Sequence, residues 1–147
     1  MSTRREAREL ALQALYQADL GEGGDRERGL ALFWSHFNRG QDVDPFAREL
    51  VQGVLDDQER IDGLIGEVAE RWKLPRLSRV DLSLLRLATY ELMARPEIPA
   101  SVTINEAIEI ARRFGSEDSG AFVNGVLDAI AGVLGVKDRE RSGRADS

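Results

Sequence analysis

Three arginines, Arg4, Arg5 and Arg8, stand close together near the start of the chain. At helical spacing they share one flank, which Leu12 and Tyr16 extend by one turn and then two. A guanidinium presents a planar fork of donors that matches phosphate and base-edge acceptors. An aromatic ring offers a face on which an unpaired base can stack. That combination is the chemistry of RNA contact. The same residues also describe the solvated end of a surface helix with Tyr16 as edge packing, and both readings stand at this level. Magnitude limits the first of them. Three phosphate contacts on single-stranded RNA give a salt slope of about −2, at roughly −0.7 per contact, so affinity falls about twentyfold between about 50 and 200 mM salt. Such a face binds weakly alone and needs a second protein for useful affinity.

Other candidate chemistry is sparse. Glu91 projects into an apolar sector between Leu84 and Leu87. A buried carboxylate needs partners, so Glu91 is expected to be a structural anchor held by backbone N–H groups or a side chain within residues 101–105. The single histidine, His36, has no neighbour that completes a site and reads as an edge residue. Asp56, Asp57 and Asp62 are spread around their helix, so no paired acid and base emerges. The chain contains no cysteine, which excludes disulfides, thiolate metal sites and cysteine nucleophiles and fits a reducing cytoplasm. The three glycines of GEGGD, residues 21–25, follow no strand and belong to no phosphate-loop pattern. Neither a metal nor a cofactor is expected. The net charge of −6 argues against a protein that coats nucleic acid indiscriminately. No apolar run approaches the ~18 residues of a membrane span, and no apolar segment suited to a secretory signal follows the first arginines. A cytoplasmic location without membrane association is expected.

The elements that must position these residues are helical throughout. Residues 3–20 place Ala7, Leu10, Ala11, Ala14, Leu15 and Ala18 on one face, small enough for a neighbouring helix to approach closely. A second helix, about 25–38, turns Leu30, Phe33, Trp34 and Phe37 inward. Asp44 and Pro45 form an N-cap and first helical position. The helix they begin keeps one apolar face from Phe46 to Trp72, with a bend or break suggested by Asp56, Asp57, Asp62 and Gly63. Pro75, within the basic stretch 71–79, ends that run. Ser78 and Asp81 can cap the next helix, which reaches about Ala94 and faces Val80, Leu84, Leu87, Ala88 and Leu92 inward. Leu82, Arg86, Thr89 and Met93 lie on its opposite face, where the apolar Leu82 and Met93 either pack against the rest of the chain or form part of a docking surface for a partner.

After the RPEIP connector, Thr103 and Glu106 have the form of a capping box. Ile104, Ala107, Ile108, Ala111 and Phe114 make an apolar face, and Gly115 is expected to end this helix in the left-handed conformation. Ser116 or Ser119 can cap the last helix, which buries Phe122, Val123, Val126, Leu127 and Ile130. Gly125 inside it implies close approach of another helix backbone. At this length, 147 residues, the chain can bury about two-thirds of its unfolded surface. The fold class is therefore all-α: six to seven helices in two small packed bundles, about 1–73 and 77–135, forming one domain. Residues 136–147 read as a flexible charged tail.

Three ordered stretches carry a resemblance. INEAIEIARRFG, the acidic corner SEDS and FVNGVLD together resemble the C-terminal signature of the NusB family of bacterial transcription antitermination factors. RREARELALQALYQADL resembles that family's arginine-rich first helix, and LLRLATYEL its central helix. The middle, from Gly21 to Leu77, matches only in pattern. The resemblance implies a NusB-like fold. It implies a factor that binds boxA single-stranded RNA together with NusE, a small-subunit ribosomal protein. It also implies action in the RNA polymerase antitermination complex on ribosomal RNA operons. It assigns RNA contact to Arg4, Arg5 and Arg8, and to Asp118 and Phe122 in the SEDS–FVNG corner. From the residues alone those last two read as a helix N-terminal acid and a core aromatic. The family often has a basic residue before the phenylalanine, where this chain has Ala121. Some members self-associate, so a homodimeric or protein-binding module with its arginine flank covered is the alternative. A related helical domain precedes the catalytic domain of certain ribosomal-RNA cytosine methyltransferases. With no catalytic cysteine or cofactor loop, no enzymatic activity is expected here.

Overall fold

The computed structural model describes residues 3–19, 25–37, 44–73 and 77–137. Most of the turn expected at 21–25, the break at Pro75, the side chain of Phe37 and the tail from 138 lie outside the described residues. Seven helices run through the described residues: α1 Arg4–Asp19, α2 Arg26–Phe37, α3 Pro45–Asp56, α4 Gln58–Arg71, α5 Arg79–Ala94, α6 Ala100–Phe114 and α7 Ser119–Leu134. The long apolar run between Phe46 and Trp72 is interrupted at Asp57, one of the positions its aspartates suggest. The contacts group the chain into two units, Met1–Asp56 and Asp57–Ser147. The division falls earlier than the boundary near 73 read from the sequence, because α4 packs on α5 and α7.

In the first unit α1 is the shared partner of α2 and α3. Its alanine stripe, Ala7, Ala11, Ala14 and Ala18, is buried to 2% exposure or less. Small side chains let α2 come close: a Cβ on Gly29 would stand 3.4 Å from Ala18 Cα. Arg26 and Asp19 form an ion pair beside this approach. Leu12, read as part of the arginine flank, is instead a core residue at 3% exposure. α3 begins as its sequence suggests, with Asp44 Oδ1 accepting the Phe46 N–H at 2.8 Å. It adds Ala47, Leu50, Val51 and Val54 to the core.

The second unit is built on Ile61 and Ile65 of α4, Leu84, Leu85 and Leu92 of α5, Ile110 of α6, and Val123, Val126, Leu127 and Ile130 of α7. Each such side chain contributes roughly 1.5–3 kcal/mol by leaving water. Ser78 caps α5 by accepting the Asp81 N–H at 3.1 Å. α6 starts at Ala100, three residues before the expected capping box. Pro99 is the N-cap residue, its carbonyl accepting the Val102 and Thr103 N–H groups, and Thr103, now inside the helix and 2% exposed, turns its hydroxyl to another task. Thr103 Oγ1 donates to Glu91 Oε1 at 3.2 Å, and Glu91 is itself 3% exposed.

Several apolar residues face the solvent rather than the core. Trp72 closes α4 and is 51% exposed, and Phe114, the last residue of α6, is 36% exposed. Gly125 meets the ring of Trp72 and not a helix backbone: its Cβ would lie 3.7 Å from Trp72 Cζ3. Gly115 ends α6 in an extended conformation, φ −97° and ψ −165°, not the left-handed one. The left-handed position is Gly135, φ 75°, at the end of α7. There Val136 N–H returns to Ala131 O at 3.1 Å, the long bond of a Schellman motif. Val136 is accordingly buried and Lys137 pairs with Asp128 at 2.8 Å, so the first two residues read as tail pack on α7.

Candidate nucleic-acid interface

The arginine face begins with a cap. Thr3 Oγ1 accepts the Glu6 N–H at 3.1 Å and donates to Glu6 Oε1 at 3.3 Å. This fixes the first turn of α1, and the T-x-x-E spacing that announces it was available in the sequence. Arg4 and Arg5 are exposed, whereas Arg8, one turn further, is only 6% exposed. Arg4 and Arg8 are drawn to one ring. The Arg4 guanidinium carbon lies 4.8 Å and that of Arg8 5.4 Å from the centroid of Phe46. Both distances fall within the range at which a cation is attracted to an aromatic face. Sequence reading missed Phe46, because the pairing of α1 with α3 has no local signal. Tyr16 is half-buried on the same helix, about 18 Å along the axis from Arg4 at 1.5 Å per residue. The helix therefore presents a guanidinium cluster at one end and a separate aromatic toward the other.

Asp118 and Phe122 meet in the second unit. With Leu77, Ser78, Asp81, Ser116 and Ser119 they line a cavity of about 180 Å³. The SEDS corner that frames it closes on itself. Ser119 Oγ accepts the Ser116 N–H at 2.9 Å and stands 3.1 Å from Ser116 Oγ. Ser119 is thus consumed inside the corner at 1% exposure, and no side chain caps α7. The same hydroxyl explains Gly115, where a Cβ would sit 2.4 Å from Ser119 Oγ and 2.8 Å from Ala111 O. Asp118 is exposed and Phe122 half-buried. Asp81 Oδ1 is shielded from solvent and accepts no hydrogen bond among the described residues. Two carboxylates and an aromatic ring suit N–H donors and a flat group, and repel phosphate.

Leu82, Arg86 and Met93 do not form an open patch. Arg86 makes a two-pronged bond with Asp62 of α4, Nε to Oδ1 at 2.8 Å and Nη2 to Oδ2 at 3.0 Å. Leu82 and Met93 are half-buried, and Thr89, placed by spacing on the same outward face, is fully buried. Among the described residues no group of three or more His, Asp or Glu side chains could hold a metal ion. No helix among them is long and apolar enough to cross a membrane.

The model of the NusB family matches residues 5–132. The chain belongs to the NusB family. Its curated relatives include the transcription antitermination protein NusB of Geotalea uraniireducens, 49% identical over 146 residues, covering 94% of this chain and 100% of that protein. The protein of the same description from Sorangium cellulosum is 45% identical over 141 residues, covering 96% and 100%. Among solved structures, T. maritima NusB superposes with a TM-score of 0.75 at 43% identity, covering 88% of this chain and 91% of that one. A crystal structure of antitermination factors NusB and NusE in complex with dsRNA gives a TM-score of 0.72 at 27% identity, covering 88% and 96%. Within this NusB framework Ala121 is exposed beside the cavity residue Phe122, so the corner lacks a basic side chain at that step.

Proposed function

We propose that this NusB-family chain is an RNA-binding antitermination factor that binds boxA RNA together with NusE and promotes processive transcription of ribosomal RNA operons in the cytoplasm. The observation that carries the reading is the guanidinium cluster of Arg4 and Arg8 at Phe46, with Arg5 exposed beside it. Family membership and the solved NusB–NusE–RNA relative support it. Binding is the whole mechanism. The exposed Arg4 and Arg5 meet phosphates, the buried Arg8 adds its charge behind them at Phe46, and Tyr16 offers a stacking face further along α1. Asp118 and Phe122 serve a base rather than a phosphate, with carboxylate oxygens accepting base N–H groups and the ring stacking. Three arginines on a chain of net charge −6 give a shallow electrostatic well, so NusE supplies the remaining RNA contacts.

The test is binding of a short boxA RNA and a scrambled RNA at about 150 mM salt, each with and without NusE. Tight, boxA-selective binding is expected only with both proteins. A self-associated chain that shows no selectivity and forms no complex with NusE would overturn the reading in favour of a homodimeric module.

A further inference from the structure

We propose that Phe46 is a positioning residue for the RNA-binding arginines, a role that deepens the proposed function and rests on it. The ring belongs to α3, not to the helix that carries the arginines. It is held at the second helical position, where Asp44 accepts its N–H at 2.8 Å. The next core residues, Ala47 and Leu50, are fully buried and fix the helix beneath it. Arg4 and Arg8 are one turn apart on α1, and both guanidiniums converge on this ring at 4.8 and 5.4 Å from its centroid. The single arginine of α3, Arg48, turns instead to Trp34, 5.0 Å from the centroid of that ring.

Two like charges at i and i+4 repel. A quadrupolar ring that attracts both offsets that repulsion and restricts two long, rotamer-rich side chains before any ligand arrives. Phosphate oxygens then meet the exposed Arg4 guanidinium, already gathered beside the buried Arg8. Without the ring, Arg4 and Arg8 lose this shared anchor, and more of their ordering is deferred to the binding step. That deferral is expected to weaken binding about tenfold, the equivalent of about 1.4 kcal/mol.

The experiment uses the full chain with NusE and boxA RNA, titrated across a range of salt. Phe46→Leu is expected to bind about tenfold more weakly with an unchanged salt slope, because the arginines still reach their phosphates. Phe46→Tyr keeps the ring and is expected to restore affinity to within about twofold. Arg4→Ala, by contrast, is expected to lower the slope by about 0.7. In an Arg4→Ala background one guanidinium remains for the ring to hold, and the Phe46→Leu loss is expected to shrink to about threefold. Wild-type affinity for Phe46→Leu would overturn the proposal. So would an equal loss in both backgrounds, or a loss that Phe46→Tyr does not rescue, since either marks a packing role. If Arg4→Ala and Arg5→Ala leave both affinity and slope untouched, the RNA reading itself fails and the role of Phe46 falls with it.

Discussion

Replacing Thr103 with valine removes one hydrogen bond from the interior while keeping the shape of the side chain. Thr103 is 2% and Glu91 3% exposed, so water cannot take over the lost donor. Hydrogen bonds to charged groups contribute about 1.5–3 kcal/mol and those between neutral groups about 0.5–1.5. The 3.2 Å separation is long for a hydroxyl donor, whose usual distance is near 2.7–2.8 Å, and points to the weak end of the charged range. Glu91 keeps other interactions, so the carboxyl is not abandoned altogether. A cost of about 1.5 kcal/mol is expected. At about 2–4 °C per kcal/mol for a chain of this size, Tm falls by about 3–6 °C. Urea unfolding followed by far-ultraviolet circular dichroism measures the free energy directly. A second background isolates the bond. With Glu91→Leu already in place, Thr103→Val deletes a hydroxyl that has lost its acceptor, and is expected to be neutral or slightly stabilising. An equal penalty in both backgrounds would show that packing, not the hydrogen bond, sets the cost. No penalty in either would remove Glu91 and Thr103 from the list of what holds α5 against α6.

Gly115→Ala is expected to cost about 1–3 kcal/mol, because the new methyl collides with Ser119 and with the immovable Ala111 carbonyl; adding Ser119→Ala should recover only part of it in the same unfolding assay. Gly66→Ala places a methyl in open space on the exposed side of α4 and is expected to raise stability by about 0.5–1 kcal/mol, visible as a higher Tm. Asp62→Asn loosens the bond to Arg86, but Asp62 is 37% exposed, so solvent screening holds the expected loss to about 0.5–1 kcal/mol. Arg5→Ala, at an exposed position, is expected to change stability by no more than about 0.5 kcal/mol and to reduce the salt dependence of RNA binding by about 0.7 in slope.

Helix existence was legible from apolar spacing, since Leu50, Leu84, Val123 and their neighbours recur where one buried face requires them. The break between α3 and α4 was legible too, in aspartates that no helix interior needs. The start of α6 was not. Thr103 and Glu106 have the pattern of a cap, but Glu91, twelve residues earlier, claims the threonine hydroxyl, and nothing local announces that claim. Trp72 and Phe114 sit on apolar faces by spacing, yet both close their helices, where the apolar face runs out of partners. The arginine flank was legible as a pattern and illegible as a site, because the ring that gathers it comes from α3. Asp118 and Phe122 were named through resemblance; the cavity they line depends on Asp81 and Ser78 at the start of another helix.

The two tryptophans fall one to each unit: Trp34 in α2 and Trp72 at the end of α4. Their surroundings differ. Trp34 is half-buried, with Phe33 edge-on at 5.3 Å and the Arg48 guanidinium 5.0 Å from its ring. Trp72 is half open to water. Indole emission shifts to the red with hydration and is quenched by solutes that can reach the ring. The two indoles are thus expected to differ in emission wavelength and in quenching. Trp34→Phe and Trp72→Phe variants turn each unit into its own optical channel, so that loss of structure in the arginine-bearing unit can be watched apart from loss of structure around the Glu91–Thr103 bond.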